Sequence, residues 1–168
     1  MNSAGDATLA GIHAEWDAFV GGFASVMLAT ADAGGNCEAS YAPVLRHDGC
    51  LYIYVSELAV HTRNLLTGTG SASLLFIEDE ASCRNIFARR RSSIQVTATE
   101  VARDAEHWLA IMEQMEQRFG NMMQLLRTLS DFHLLQLTPA EGSYTAGFGK
   151  AYRLSGEGLS HIEHLQRR

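Results

Sequence analysis

Lysine is almost missing from this chain: Lys150 stands alone beside twelve arginines among 168 residues. Arginine offers a planar fork of donors suited to carboxylate and phosphate, so the basic residues present are of the anion-recognising kind. The 13 basic side chains are outnumbered by 19 acidic ones, for a net charge of −6. That balance excludes a general attraction for nucleic acid and leaves only local anion sites. Cysteine is scarce as well. Cys37, Cys50 and Cys83 are odd in number and show no CxxC or Cys/His ligand spacing, which argues against a disulfide framework or structural zinc and predicts three small buried or half-buried thiols. No apolar run approaches the roughly 18 residues of a membrane span. Met1 to Ala10 lacks the basic start and apolar stretch of a secretory signal, so a soluble, cytoplasmic protein is expected, with no membrane or nucleic-acid partner. There is no internal repeat, and the length suits one domain over 1–168.

What is present reads as strands with helices around them. "ATLAGIHAEWDAFV" places Leu9, Ile12, Trp16, Phe19 and Val20 at helical spacing, predicting a helix over about 6–20 with Asp6 as its N-cap. The next segment, through Glu57, is β-branched and aromatic, with turn signals at Gly34-Gly35-Asn36 and Asp48-Gly49; it predicts three antiparallel strands in a meander. "ELAVHTRNLLTG" returns to helical spacing through Leu58, His61, Leu65 and Leu66, and Gly68 supplies a stop. "SASLLFIED" and "RRRSSIQVTATEVAR" read as strands, with a short turn or helix in "EASCRNIFA" between them. Two helical stretches follow around a break at Gly120, and their methionines are read as core gap-fillers. "DFHLLQLTP" and "GSYTAGFGKAYRL" predict two more strands with a turn over Thr138–Gly142. Strands with short connections outnumber crossover helices, so a mainly β antiparallel barrel or sandwich with peripheral helices is expected.

Few motifs carry chemistry by themselves. Gly149-Lys150 lacks both the glycine five residues upstream and the following Ser or Thr of a phosphate-binding loop. Gly147 and Gly149 instead predict a bulge, a bend or close approach of a ligand to the backbone, with Lys150 beside it. No G-x-S-x-G elbow occurs, and His161 and His164, at i, i+3 on one face of a possible helix, do not complete a zinc site. The arginine triplet is more informative: in strand alternation Arg89 and Arg91 face the same way and would clamp an anion bidentately. His61 and Arg63 form a second basic element on the helix after the meander.

Five separated segments in order, "ASYAP", "HTRNL", "IEDE", "IFARRR" and "GFGKAY", resemble the haem-utilisation (HugZ/HutZ-type) branch of the pyridoxamine 5′-phosphate oxidase-like split β-barrels, over roughly residues 20 to 160. The resemblance implies a six-stranded antiparallel split barrel, over about 23–154 here with a tail at 155–168, that forms a homodimer with ligand sites shared between subunits. The wider superfamily binds FMN, and His61 occupies the place of a lysine usual in the flavin-binding relatives. In the haem branch, an axial histidine from the C-terminal tail ligates iron and an aspartate of the other subunit orients it. Asp131 in "LSDFHLL" matches that aspartate. The tail departs from the family pattern, having "HIEHLQRR" where relatives continue into a Gly-His-type segment, so His164 is the first candidate haem-iron ligand and His161 the second.

The resemblance thus implies a haem-binding, haem-degrading protein of iron acquisition that needs a reductant for turnover, with Asp131 catalytic and Arg91 near the propionates. An FMN-dependent oxidoreductase, with Arg63, His61 and Arg46 at the phosphate, is the alternative. A non-catalytic haem carrier is a further one.

Overall fold

The computed structural model describes residues 8–165. Helix α1 (Leu9–Gly21) is capped by Thr8, whose hydroxyl accepts from the Gly11 N–H at 3.2 Å. Asp6, the expected cap, lies outside the described residues. Ile12, Trp16, Phe19 and Val20 are buried, as their spacing requires, and the Trp16 indole N–H donates to Ser92 at 2.9 Å.

The two turn signals of the first β segment hold, but its middle strand does not stay whole. Strand β1 (Ser25–Ala31) pairs with β2 (Cys37–Pro43), and β3 (Leu45–His47) pairs with β4 (Cys50–Ser56) through Asp48 and Gly49, both at positive φ. Only Val44 separates β2 from β3. Yet the hydrogen-bonded order, β2-β1-β5-β6-β7-β4-β3, places β2 and β3 at opposite ends. A sheet whose two edges are joined by one residue must curl on itself, so six strands close a barrel in which β2 and β3 are one strand broken after Pro43.

The remaining wall is β5 (Ser71–Ile77), β6 (Arg91–Val101) and β7 (Phe132–Gly147). Strand β7 is continuous for 16 residues, so the expected turn over Thr138–Gly142 is absent. Its place is taken by a bulge: Gln95 opposes Glu141 and Val96 opposes Pro139, leaving Ala140 extra. A bulge tolerates proline, which has no N–H to give the ladder. On one edge β6 pairs with the whole of β7. On the other, β4 pairs with its first part, to Leu137, and β8 (Lys150–Ser155) with its last, from Gly142; this division is the split of the barrel.

Gly147, Phe148 and Gly149 form the tip of the β7–β8 hairpin rather than the interior of one strand. The tail then returns as β9 (His161–His164), antiparallel to β8, so His161 and His164 do not share a helical face. Three residues apart on a strand, they point to opposite sides.

The barrel interior is filled by alternating residues of every strand, including Leu28, Ile53, Leu74, Ile94 and Leu137. Strand β4 is buried on both faces because helix α3 (Glu106–Phe119) and the short α4 (Met122–Leu126) pack outside it. There Tyr52, Tyr54 and Leu134 meet Trp108, Met112, Met115 and Met123, so three of the four clustered methionines fill core space while Met122 is exposed. Gly120 breaks the two helices at positive φ, as expected. Helix α2 (Val60–Thr67) buries His61, Thr62, Asn64 and Leu65, whereas Leu58, expected on its inner face, is almost fully exposed before the helix begins. Gly68 stops it by close approach: a Cβ there would lie 2.6 Å from the Asn64 carbonyl oxygen. Cys37 is exposed, not buried or half-buried as expected; Cys50 and Cys83 are partly buried. No described helix is long and apolar enough to cross a membrane.

Where β4 and β7 meet, His133 is held between two carboxylates, Nδ1 2.6 Å from Glu100 and Nε2 2.7 Å from Glu57. The hydrogen bond to Glu100, followed by that to Glu57, outweighs partial burial and raises the imidazole pKa above 6.5. The folded state therefore binds a proton more tightly than the unfolded chain, so this contribution is complete below about pH 6.5 and fades as pH rises through the raised value. Buried His61 has the opposite sign, its pKa being lowered chiefly by desolvation, so a variant comparison isolates the first effect. His133→Gln is expected to cost about 1 kcal/mol in urea unfolding near pH 6, a gap that closes toward about pH 9. A gap constant across that range would show that the imidazolium does not hold this corner.

Candidate functional site

The arginine triplet sits where the loop after β5 enters β6. The strand begins only at Arg91, so alternation does not extend back to Arg89 and the two do not form a clamp. The Arg89 guanidinium is committed to the Glu78 carbonyl and stands 3.8 Å from the Glu80 carboxylate. Arg91 is exposed and folds back to the Arg89 carbonyl at 3.0 Å. Between them Arg90 turns inward, 4.6 Å over the Phe19 ring and 3.9 Å from the Glu15 carboxylate. Its Nε is buried without a partner among the described residues. Glu15 also accepts from the Tyr144 hydroxyl at 2.7 Å, and burial, with that carboxylate second, pushes the phenol well above its usual range.

Around Arg90 opens a cleft of about 550 Å³ lined by Glu15, Glu78, Arg84, Asn85 and, from the hairpin tip, Phe148. Phe148 is 79% exposed. The cleft has the dimensions of a small-molecule site. Arg84 and Arg90 are the residues that periodicity missed: the triplet marked the right loop, but which guanidinium faces the cleft depends on where strand geometry starts. Lys150 is exposed on the far arm of the hairpin, opposite Gly147, and does not line the cleft.

The second basic element is less cationic than its sequence suggests. His61 is buried, its Nδ1 2.9 Å from the Ser40 hydroxyl, and Nε2 has no partner among the described residues. Its lowered pKa keeps it neutral near pH 7. Arg63 is exposed on α2 and lines a separate shallow hollow with Asp32, Glu38 and Asn64. Arg46 does not join them: it pairs with Asp17 of α1 at 2.6 Å and lies 5.3 Å from the Trp16 ring centroid. One free arginine beside a neutral imidazole and two carboxylates is a poor match for a phosphate dianion.

Asp131 ends the turn into β7. Its carboxylate accepts from the Ser56 hydroxyl at 2.6 Å, and its carbonyl from the Glu57 N–H at 2.9 Å. The tail histidines are elsewhere. His164 opposes Tyr152, which opposes Tyr144 near the other end of β7. Twelve residues of strand separate Tyr144 from Phe132, on the order of 30–40 Å, so one chain does not bring Asp131 and His164 together.

His164 packs edge-on against Tyr152, ring centroids 5.1 Å apart, in an aromatic series that continues through Tyr144 and Phe19. Among the described residues, His13, His47, His61 and His133 are engaged by Leu159, Asp48, Ser40 and the two glutamates. His107, His161 and His164 are exposed, with no side-chain hydrogen bond among the described residues, and can offer a nitrogen lone pair; of these, His161 and His164 are on the tail. No group of three or more metal-ligating side chains occurs among the described residues.

Comparison with known proteins agrees with this architecture. The family model described as pyridoxamine 5′-phosphate oxidase matches residues 12–146. "Heme oxygenase HutZ" of Vibrio cholerae is 38% identical over 142 residues, 84% of this chain and 80% of that protein. The crystal structure of Campylobacter jejuni ChuZ superposes with a TM-score of 0.85 at 29% identity, covering 95% of this chain; the chain spans 64% of ChuZ's length. A structure of HutZ, described as the heme storage protein of Vibrio cholerae, superposes with a TM-score of 0.71 at 36% identity, over 75% of this chain and 88% of that one. With its six-stranded split barrel and these matches over most of its length, the chain belongs to the haem-utilisation branch of the pyridoxamine 5′-phosphate oxidase-like family.

Proposed function

We propose that this protein binds haem between two copies of the chain and degrades it oxidatively with an external reductant. The observation that carries the reading is the separation of Asp131 from His164 along β7: the carboxylate and the imidazole can serve one iron only if they come from different subunits. The residues fit the ligand. His164 would hold the iron, with His161 as the neighbouring alternative, and Asp131 of the other copy would fix the imidazole tautomer and raise its basicity. Arg84 and Arg90 line the cleft from which bidentate arginine would meet a propionate, whereas Arg91, expected there, is exposed and folded back on the Arg89 carbonyl. Bound haem supplies the iron at which oxygen is activated and is itself the substrate consumed.

A second copy also has a place to sit. The outer face of β2, β1 and β5 presents Met27, Ala29, Ala39, Tyr41, Leu75 and Ile77 around a groove of about 770 Å³, with Met27 and Tyr41 more than half exposed. No described helix covers it, whereas the opposite wall is covered by α3. An apolar sheet face of this kind marks an association surface. Introducing a charge at its centre, Met27→Glu, is expected to turn a dimer into a monomer in sedimentation equilibrium and to weaken haem binding at least tenfold. A monomeric wild-type chain at micromolar concentration would remove the shared site.

The FMN reading finds less support, because neutral His61 and the Arg46–Asp17 pair leave Arg63 without cationic partners. Haemin titration distinguishes the possibilities. The expected result is a shifted Soret band at one haem per chain, weakened more than tenfold in His164→Ala and little changed in His161→Ala. Bleaching of that band with a reductant and oxygen separates degradation from storage. No Soret shift in the wild type, or yellow protein that releases flavin on heating, would overturn the haem reading.

A further inference from the structure

Asp131 lies at the end of a connection that ought to be loose. Helix α4 has only five residues; its last carbonyls are closed locally by the N–H groups of Arg127, Thr128 and Leu129, and the chain must then turn through Leu129 and Ser130 before β7 begins. Three carbonyls beyond α4 converge on one side chain from another part of the fold. Arg103, in the turn between β6 and α3, donates to the carbonyl oxygens of Arg127 at 2.9 Å, Leu129 at 2.6 Å and Phe132 at 3.0 Å. It donates also to the Tyr54 hydroxyl at 3.1 Å, and Tyr54 in turn donates to the Leu126 carbonyl at 3.4 Å. The guanidinium is 5.6 Å from the Trp108 ring centroid, as is that of Arg127, itself paired with Glu116.

Two of the three carbonyls bracket Asp131: Leu129 lies two residues before it and Phe132 directly follows. One planar, five-donor group thus fixes the backbone on both sides of the carboxylate, while Ser56 and the Glu57 N–H hold the residue itself. We propose that Arg103 is the positioning residue for Asp131, setting where that carboxylate stands relative to the ligand site; its bearing on haem rests on the function proposed above. Lysine cannot replace it, since three donors on a point charge do not span carbonyls in a fixed fork. Arg103 does not line the cleft, so its influence on Asp131 runs through the backbone it bonds on either side.

The Glu57 amide reports the position directly, because it donates to the Asp131 carbonyl. In the ligand-free protein, Arg103→Lys and Arg103→Ala should speed hydrogen exchange at the Glu57 amide by about tenfold, leaving the β5–β6 ladder amides unchanged. In haemin-loaded, reduced protein the same variants should lower the iron–histidine stretching frequency in resonance Raman spectra in the direction of Asp131→Asn, at unchanged haem stoichiometry. Unchanged Glu57 exchange, or acceleration spread evenly over the barrel, would overturn the proposal, the latter marking Arg103 as a general stabiliser. A local acceleration with a wild-type Raman frequency, where Asp131→Asn shifts it, would likewise overturn action through Asp131. A local acceleration with no shift even in Asp131→Asn would uphold the positioning and overturn instead the role given to Asp131 at haem.

Discussion

Strand β7 is the constraint on which the molecule depends. It must satisfy β6 along its whole length on one edge and two unrelated partners, β4 and β8, on the other. A sheet cannot serve diverging partners without a local change of twist, and the bulge at Ala140 supplies it where one partner ends and the next begins. The barrel closes through the β4 half, and the tail is delivered through the β8 half. Both ends of the proposed site, Asp131 before Phe132 and His164 beyond Tyr152, are set by this one element.

The two ends are supported differently. At the Asp131 end, polar groups are held by direct bonds: Arg103 to three carbonyls, Ser56 to the carboxylate, and His133 between Glu57 and Glu100. At the His164 end the support is aromatic, through Tyr152, Tyr144 and Phe19, with Glu15 taking the Tyr144 proton donor and Arg90 stacked on Phe19. A rigid carboxylate and a packed imidazole at opposite ends of one strand suit a site completed by a second copy, where neither group is free to search for the other.

The barrel itself illustrates how closure disposes of edges. Breaking one strand after Pro43 lets its two pieces bond to opposite ends of the sheet order, so neither remains an open template. The same closure leaves an inside, filled by alternating apolar residues, and two outer walls. One is covered by α3 and its methionines; the other, with Met27 and Tyr41, is left bare by the described residues.

How much of this was legible beforehand follows from the range of each interaction. Helix α1, the turns at Gly34–Asn36 and Asp48-Gly49, the strands β5 and β6, and the break at Gly120 depend on spacing and on residues a few positions apart, and the sequence by itself determined them. The ordered segments from "ASYAP" to "GFGKAY" determined the family, and with it Asp131 and the tail histidines as candidates. The tertiary structure decided what local pattern cannot encode. Thr138–Gly142 has turn composition but lies opposite an eleven-residue β6, whose ladder bonds hold it as a bulge. "HIEHL" has helical spacing but lies along β8, whose free edge makes it a strand. Arg90 rather than Arg89 faces the cleft because the ladder starts at Arg91, and Arg103 reaches the carbonyls on either side of Asp131 only because β6 and β7 run side by side. In each case the deciding partner is tens of residues away, and only closure of the barrel brings it within bonding distance.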